Sequence, residues 1–407
     1  MNKPSNSIFN ITVLVAALGY FVDIYDLLLF QIVRVDSLKD MGLSIAQVKS
    51  EGEFIISVQM IGLLVGGIIW GVMGDKKGRL SVLFGSIVLY SIANIINGFV
   101  QTPDQYALTR FFAGIGLAGE LGAGITLVSE LVSKEKRGIS TSLVAGIGLT
   151  GAVVAYFISQ HFNWRICYFI GGGLGFCLLL LRISVFESGM FTKLKQLDVQ
   201  RGNFFMFFTD KNRFKKYVLA ILIGLPTWYV IGVLVAFSND FGKAFGFSEE
   251  VLPKKSTMFA YVAIAVADVV VGLISHWLGS RKKVLFIFYG LTMLSIGFYF
   301  TQQNGTAEGM YLICAAMGFS VGFWAIFVTM AAEQFGTNLR ATAATTVPNM
   351  VRGALPLMFL LFKTLQSVTG NYITAGWLTG LVVMAISFTA AWFTEETFGK
   401  DLNYVEK

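Results

Sequence analysis

Twelve stretches of about 20 or more mostly apolar residues run through this chain, and that is the length one helix needs to cross a bilayer. They cover roughly 9–33, 54–74, 80–100, 104–130, 138–160, 165–186, 216–238, 257–279, 283–302, 307–333, 341–365 and 371–394. Hydrocarbon offers no water to backbone N–H and C=O groups, so each run predicts a helix that closes its hydrogen bonds internally. The first run is too long for a signal-peptide core and ends without a small-residue cleavage site, so it is read as a retained first span. Only 14% of residues are charged, against about a quarter in soluble domains. Cys167, Cys177 and Cys314 lie in apolar runs with no partner at metal-ligand spacing, which predicts buried thiols and no metal site.

Charge sorts the loops. Those after spans 2, 4, 8 and 10 read DKKGR, SKEKRG, SRKK and GTNLR, and the polar segment 187–215 adds Lys193, Lys195, Arg201, Lys211, Arg213 and Lys215. The loops after spans 3, 5 and 9 lack Lys and Arg apart from Arg165, where span 6 begins. After spans 1 and 7, Lys39, Lys49, Lys243, Lys254 and Lys255 are mixed with Asp36, Asp40, Glu51, Glu249 and Glu250. The positive-inside rule then places both termini and the middle segment in the cytoplasm of a cell whose cytoplasmic (inner) membrane holds the chain. The net charge of +7 is thereby a topology signal rather than a nucleic-acid footprint.

The two halves repeat. GVMGDKKGRL begins at Gly71 and GLISHWLGSRKK at Gly272; Glu130 stands seven residues before Arg137, and Glu333 seven before Arg340. The expected organisation is an N-terminal six-helix bundle at 1–186, a cytoplasmic linker at 187–215 and a C-terminal six-helix bundle at 216–407, with the substrate held near the midplane between halves.

These motifs resemble the major facilitator superfamily over nearly the whole chain. Gly71-Val-Met-Gly-Asp75-Lys-Lys-Gly78-Arg79 resembles the signature loop between spans 2 and 3, and Arg110-Phe-Phe-Ala-Gly114-Ile-Gly116 the span 4 motif. Ser129-Glu130 with Arg137-Gly138, and Glu333 through Arg340, resemble motifs of sugar porters, organic-ion transporters and metabolite–proton symporters. Span 5, GIGLTGAVVAYF, lacks the Gly-Pro pair of resembling antiporters, which argues against drug efflux. The resemblance implies an all-α membrane protein of twelve helices in two pseudo-symmetric bundles. It also implies a charge network of Asp75, Arg79, Glu130, Arg137, Glu333 and Arg340 that latches the halves and breaks as they rock. His276 stands where Asp75 would fall in the second half, with Arg281 and Lys282 after it, so the latch there is weakened or remade.

Charges deep within a span are costly and mark function by default. They are Asp23 and Asp26 in span 1, Arg110 and Glu120 in span 4, Asp268 in span 8 and Arg352 in span 11. All fall in spans that the resembling fold turns toward a central path. Arg352, between Pro348 and Pro356, offers a permanent charge and a planar fork suited to a carboxylate or phosphate. It reads either as a substrate anchor or as the partner of a buried acid such as Asp268. Asp23, Asp26 and Glu120 are proton-coupling candidates, because burial and a neighbouring Arg push a carboxylate pKa in opposite directions. Arg110 either belongs to the charge network or neutralises an acid of span 1. Asp268, Tyr25, Trp228, Tyr229 and Asn349 are candidate substrate contacts, with Gln59 a further hydrogen-bonding group.

The reading that follows is a monomeric secondary transporter importing a small polar metabolite, an organic anion or zwitterion, together with protons. No GxxxxGK[ST] phosphate loop is present, so ATP is not the direct energy source and no cofactor is expected. The excess of buried acids leaves a cationic substrate open, and export of a siderophore, drug or metabolite competes with import. A membrane sensor that lost transport is a weaker alternative. An enzyme is not expected, given the lack of HExxH and His161 and His276 lying near span ends.

Overall fold

The computed structural model describes residues 11–132, 137–182 and 201–406, with the side chains of 11, 12, 46 and 137 outside the described set. Among the described residues twelve helices are long and apolar enough to cross a membrane. They are α1 (Val13–Asp40), α2 (Gln47–Lys77), α3 (Arg79–Asn97), α4 (Pro103–Leu131), α5 (Gly138–His161) and α6 (Trp164–Leu181) in the first half. The second half holds α7 (Lys211–Val235), α8 (Pro253–Leu278), α9 (Arg281–Phe300), α10 (Ala307–Glu333), α11 (Arg340–Thr369) and α12 (Tyr372–Phe393).

Polar caps end these helices sharply. Thr102, Asn163, Asp210, Ser280, Thr306 and Asn371 each accept a hydrogen bond from a first-turn backbone N–H, which permits short turns between long helices. The first helix runs on to Asp40 instead of stopping near 33, because Leu38 stays fully buried and keeps the extra turns packed.

Burial sorts the helices into layers. The most apolar windows of α1, α4, α7 and α10 are 83%, 83%, 78% and 72% buried, whereas those of α3, α6, α9 and α12 are 50%, 39%, 44% and 44% buried. The outer four turn residues such as Leu180, Phe298 and Trp392 outward, where hydrocarbon replaces water as the solvent for apolar surface. Cys167 and Cys314 are buried as expected, but Cys177 is exposed, because it lies on the outward face of α6.

The halves meet where α2 packs on α11 and α5 on α8, two pairs that the internal repeat exchanges. The repeat-equivalent glycines both sit at these seams. A Cβ on Gly71 would meet the Thr342 backbone at 3.0 Å, and one on Gly272 would meet Ser142 at 2.5 Å, so close approach of the halves requires glycine there. Several inner helices are interrupted: α4 at Ala118–Gly119, α7 by a π-helical stretch at Val230–Val235, α10 at Val321–Phe323 and α11 at Ala354. Irregular backbone at membrane depth is tolerated where protein surrounds it, and interrupted helices commonly frame binding sites.

Candidate functional site

Three layers of polar residues stack between the halves: a gate at the face bearing the basic loops, a central chamber, and a gate at the far face.

At the basic face, Asp75 crosses from α2 to cap the start of α11. Its carboxylate accepts hydrogen bonds from Ala341 N at 3.1 Å, Thr342 N at 2.9 Å and Thr342 Oγ1 at 2.7 Å. A carboxylate at a helix N-terminus satisfies orphan donors and meets the favourable end of the helix dipole. Glu130 takes one guanidinium from each half, Arg79 at 2.7 Å and Arg340 at 3.2 Å. Arg79 also lies 3.5 Å from Asp75, and all four side chains are fully buried. In the second half Arg281 grips Glu333 with two bonds, at 2.7 and 2.8 Å, so a buried ion pair forms there without an acid at position 276. His276 stays exposed. The Arg137 side chain and residues 187–200 of the expected linker lie outside the described residues.

The residues after α12 strap this gate. Arg340 donates to Leu402 O, Thr337 N to Tyr404 O at 2.8 Å, and Thr397 Oγ1 to Glu333 at 2.8 Å. Glu396 accepts from Ser280 Oγ, from Arg281 N at 3.0 Å and from Lys282 N at 3.1 Å, capping α9. Burial alone would raise the Glu396 pKa, but these hydrogen bonds outweigh it and hold the carboxyl below its ordinary value. Nothing in the apolar periodicity marked this tail as part of the gate.

The central chamber is a cavity of about 20 Å³, little more than one water needs. Tyr20 and Ile24 of α1, Trp228 of α7, Tyr261 of α8, Trp324 of α10 and Arg352 of α11 are among its walls. The Arg352 guanidinium carbon lies 6.0 Å from the Trp228 ring and 5.7 Å from the Trp324 ring, within cation–π range of both. Its NH1 donates to Asn349 Oδ1 at 3.1 Å, while Asn349 Nδ2 donates across the halves to Ala118 O at 2.9 Å. Asn349 therefore orients the guanidinium and ties it to the α4 break.

Asp268 is not the partner of Arg352. One of its oxygens accepts from Ala325 N at 3.0 Å, restarting α10 after its break, and the other has no hydrogen bond among the described residues. The acids of α1 and α4 divide. Asp26 pairs with Arg110 at 3.0 Å; Arg110 also donates to Asn94 at 2.6 Å and lies 4.7 Å from the Tyr168 ring. Glu120 is clamped by Arg182 through bonds of 2.9 and 2.5 Å and accepts from Ser86 at 2.8 Å. Asp23, fully buried, makes no hydrogen bond among the described residues, and Arg352 is the charge that acts most strongly on it.

Two aromatic expectations are corrected. Tyr25 donates to Cys167 O at 2.9 Å, joining α1 to α6, and Tyr229 donates to Gly376 O at 2.6 Å, joining α7 to α12. Both phenols point away from the chamber and do the same packing job in the two halves. Gln59 donates to Leu27 O at 3.4 Å, between α2 and α1. Tyr261 and Arg182 were not among the sequence candidates: Tyr261 is one aromatic among many in an apolar span, and Arg182 stands at the end of α6. The available signal for Arg182 was Glu120, a buried acid in need of a base.

At the far face three ion pairs join the halves: Lys49–Asp240 at 3.8 Å, Lys254–Asp36 at 3.7 Å and Lys363–Glu53 at 2.6 Å. These are the mixed charges that blurred the loop pattern. The first two pairs edge a vestibule of about 390 Å³ between the end of α1, the segment after α7 and the starts of α2 and α8, while Lys363 and Glu53 line a neighbouring cavity.

The chain is 28% identical over 348 residues to a putative niacin/nicotinamide transporter of Bacillus subtilis, covering 82% of each chain. It is 26% identical over 440 residues to a niacin transporter of Acinetobacter baylyi, covering 98% of this chain and 96% of that one. Its fold matches the solved structure of the proton:xylose symporter XylE with a TM-score of 0.77 at 17% identity, over 98% of each chain. The family model described as Major Facilitator Superfamily matches residues 8–358, and the chain therefore belongs to that family of multi-pass membrane transporters.

Proposed function

We propose that this chain is a proton-coupled importer of a small aromatic carboxylate, set in the cytoplasmic membrane with its basic face inside and working as a monomer. The observation that carries the reading is Arg352. It is a permanent cation at the midplane, held by Asn349, flanked by two indole faces and free of any ion pair among the described residues. A guanidinium fork takes a carboxylate through two parallel hydrogen bonds, and indole faces suit a planar ring beside it. Niacin, which both named relatives are described as carrying, is a compound of this kind.

The chamber is too small for such a ligand as it stands, so binding goes with movement of the halves, the step that alternating access supplies. Asp26 and Asp23 are the proton carriers in this reading. Asp26 can trade its bond to Arg110 for a proton, and Asp23 faces the charge of Arg352 without a hydrogen bond of its own. Glu120 suits the role less, because both of its oxygens are already engaged by Arg182.

The test is uptake of labelled nicotinate into proteoliposomes with an imposed inward proton gradient. Accumulation should follow the gradient, collapse on dissipating it, and be lost in Arg352→Ala. Asp26→Asn should keep exchange of bound nicotinate while losing gradient-driven accumulation. Uptake indifferent to the gradient sinks the proton coupling, and full nicotinate affinity in Arg352→Ala sinks the anchor.

A further inference from the structure

Arg34 has no role in either gate or in the chamber, yet its surroundings are unusual for an arginine. It sits near the far-face end of α1, on the wall of the vestibule, and is only 4% exposed. Its guanidinium forms no hydrogen bond or ion pair with any described residue, and Nε is buried without a partner. The two acids whose charge reaches it, Asp240 and Glu53, are already paired with Lys49 and Lys363. A buried guanidinium left without acceptors is costly, and mutational experience puts the penalty of an unpaired buried charge well above that of an exposed one.

The site is nonetheless built for this side chain. Gly52 of α2 leaves the groove in which the Arg34 stem lies, since a Cβ there would meet Arg34 Cδ at 2.6 Å. The planar head rests on Phe237 of the other half, 4.9 Å from the ring centre. Gln31 and Asn239, from opposite halves, line the same cavity and add neutral hydrogen-bonding groups. Lys39 and Lys243 line it too, neither in an ion pair, against Glu250 as the one acid of the lining outside the pairs described. The vestibule therefore presents a largely desolvated guanidinium, backed by an aromatic ring, under an excess of positive charge.

We propose that the vestibule is a second anion site, in which Arg34, backed by Phe237, binds the carboxylate of a small organic acid before the acid reaches Arg352. The two sites are chemically alike, each a guanidinium on an aromatic face. They are separated by the ten residues of α1 from Ile24 to Arg34, about 15 Å at ~1.5 Å per residue. Because Arg34 and Asn239 line the vestibule from different halves, a ligand held between them would respond to their separation. The inference rests on the reading of the transported compound as a carboxylate.

Calorimetric titration of the purified protein with nicotinate tests it, using the wild type, Arg352→Ala, Arg34→Gln and Arg34→Lys. The wild type should show two classes of site. Arg352→Ala should abolish the tighter and keep the weaker, and adding Arg34→Gln should weaken what remains by about tenfold or more, the loss expected for a charge-assisted hydrogen bond. Arg34→Lys should retain most of it, which separates lost charge from a damaged fold. In proteoliposomes Arg34→Gln should raise the KM for nicotinate and leave kcat near the wild-type value. If Arg352→Ala leaves no binding for Arg34→Gln to remove, the vestibular site is refuted and the central one stands. If binding survives Arg352→Ala untouched and vanishes in Arg34→Gln, the central anchor is refuted and the vestibular one stands. A wild type that binds no nicotinate refutes both.

Discussion

The two gates use similar residues and could hardly differ more in setting. At the basic face Arg79, Arg340, Asp75 and Glu130 are wholly buried, bonded to one another and to backbone of the opposite half. At the far face Lys49 is 46% and Lys363 62% exposed, and two of the three pairs span 3.7–3.8 Å. Exposed pairs contribute little, because water screens them and holding two long side chains costs entropy. Buried networks are different: once their charges are desolvated, breaking one contact leaves an uncompensated group in low dielectric. The protein is thus fastened at one face and merely closed at the other. On the proposed alternating-access reading, this contrast favours opening toward the vestibule.

Removing Glu130 should break that contrast most. Glu130→Ala strands Arg79 and Arg340 together in the seam, and loss of one partner from a buried pair costs about 3–5 kcal/mol. The expected result is a large fall in thermal stability, together with faster thiol labelling of a cysteine at position 341, which is buried in the closed gate. Unchanged labelling would show that the network is packing rather than a latch.

A smaller and pH-dependent effect should come from the strap. Glu396 lies beyond the last span, and its folded pKa is below the ordinary value. A depressed acid stabilises the fold at pH above its unfolded pKa, ~4.3, and that contribution is lost as pH falls through the folded value. Melting temperature measured against pH should therefore fall across that acidic window in the wild type. Glu396→Gln should flatten this component and leave the behaviour at neutral pH lower by about 1 kcal/mol, the scale of a lost helix cap. An identical acid limb in the variant would remove Glu396 from the account.

The least change is expected at the far face. Lys363→Ala should alter stability by no more than about 0.5 kcal/mol, within the range of exposed pairs. Raising salt should mimic it there, because screening at high ionic strength reaches exposed charges first. Should Lys363→Ala destabilise as strongly as Glu130→Ala, the asymmetry of the gates is wrong.

Much of this molecule was readable in advance, and the reasons are specific. The spans were legible because hydrocarbon demands long apolar helices, and Asp75 and Glu130 because they stand at the ends of α2 and α4 beside motifs that recur in the second half. Arg352 and Asp26 stood out because an ionised group at membrane depth has few bland explanations. Partners were another matter. Asp268 looked like a mate for Arg352 and instead restarts a broken helix at Ala325. Tyr25 and Tyr229 looked like cavity aromatics, but a helical residue's neighbours depend on which helix packs against its face, which one-dimensional periodicity does not record.

By itself, then, the sequence determined a twelve-helix membrane protein in two related halves, with its charge concentrated in an inner set of spans. It could do so because the bilayer constrains length, polarity and loop charge locally, residue by residue. Only the tertiary structure decided which acid meets which base: Asp26 with Arg110, Glu120 with Arg182, and Arg34 with none among the described residues. Those pairings join residues as many as 84 positions apart, and side-chain geometry a few ångströms across separates a clamp from an open binding group.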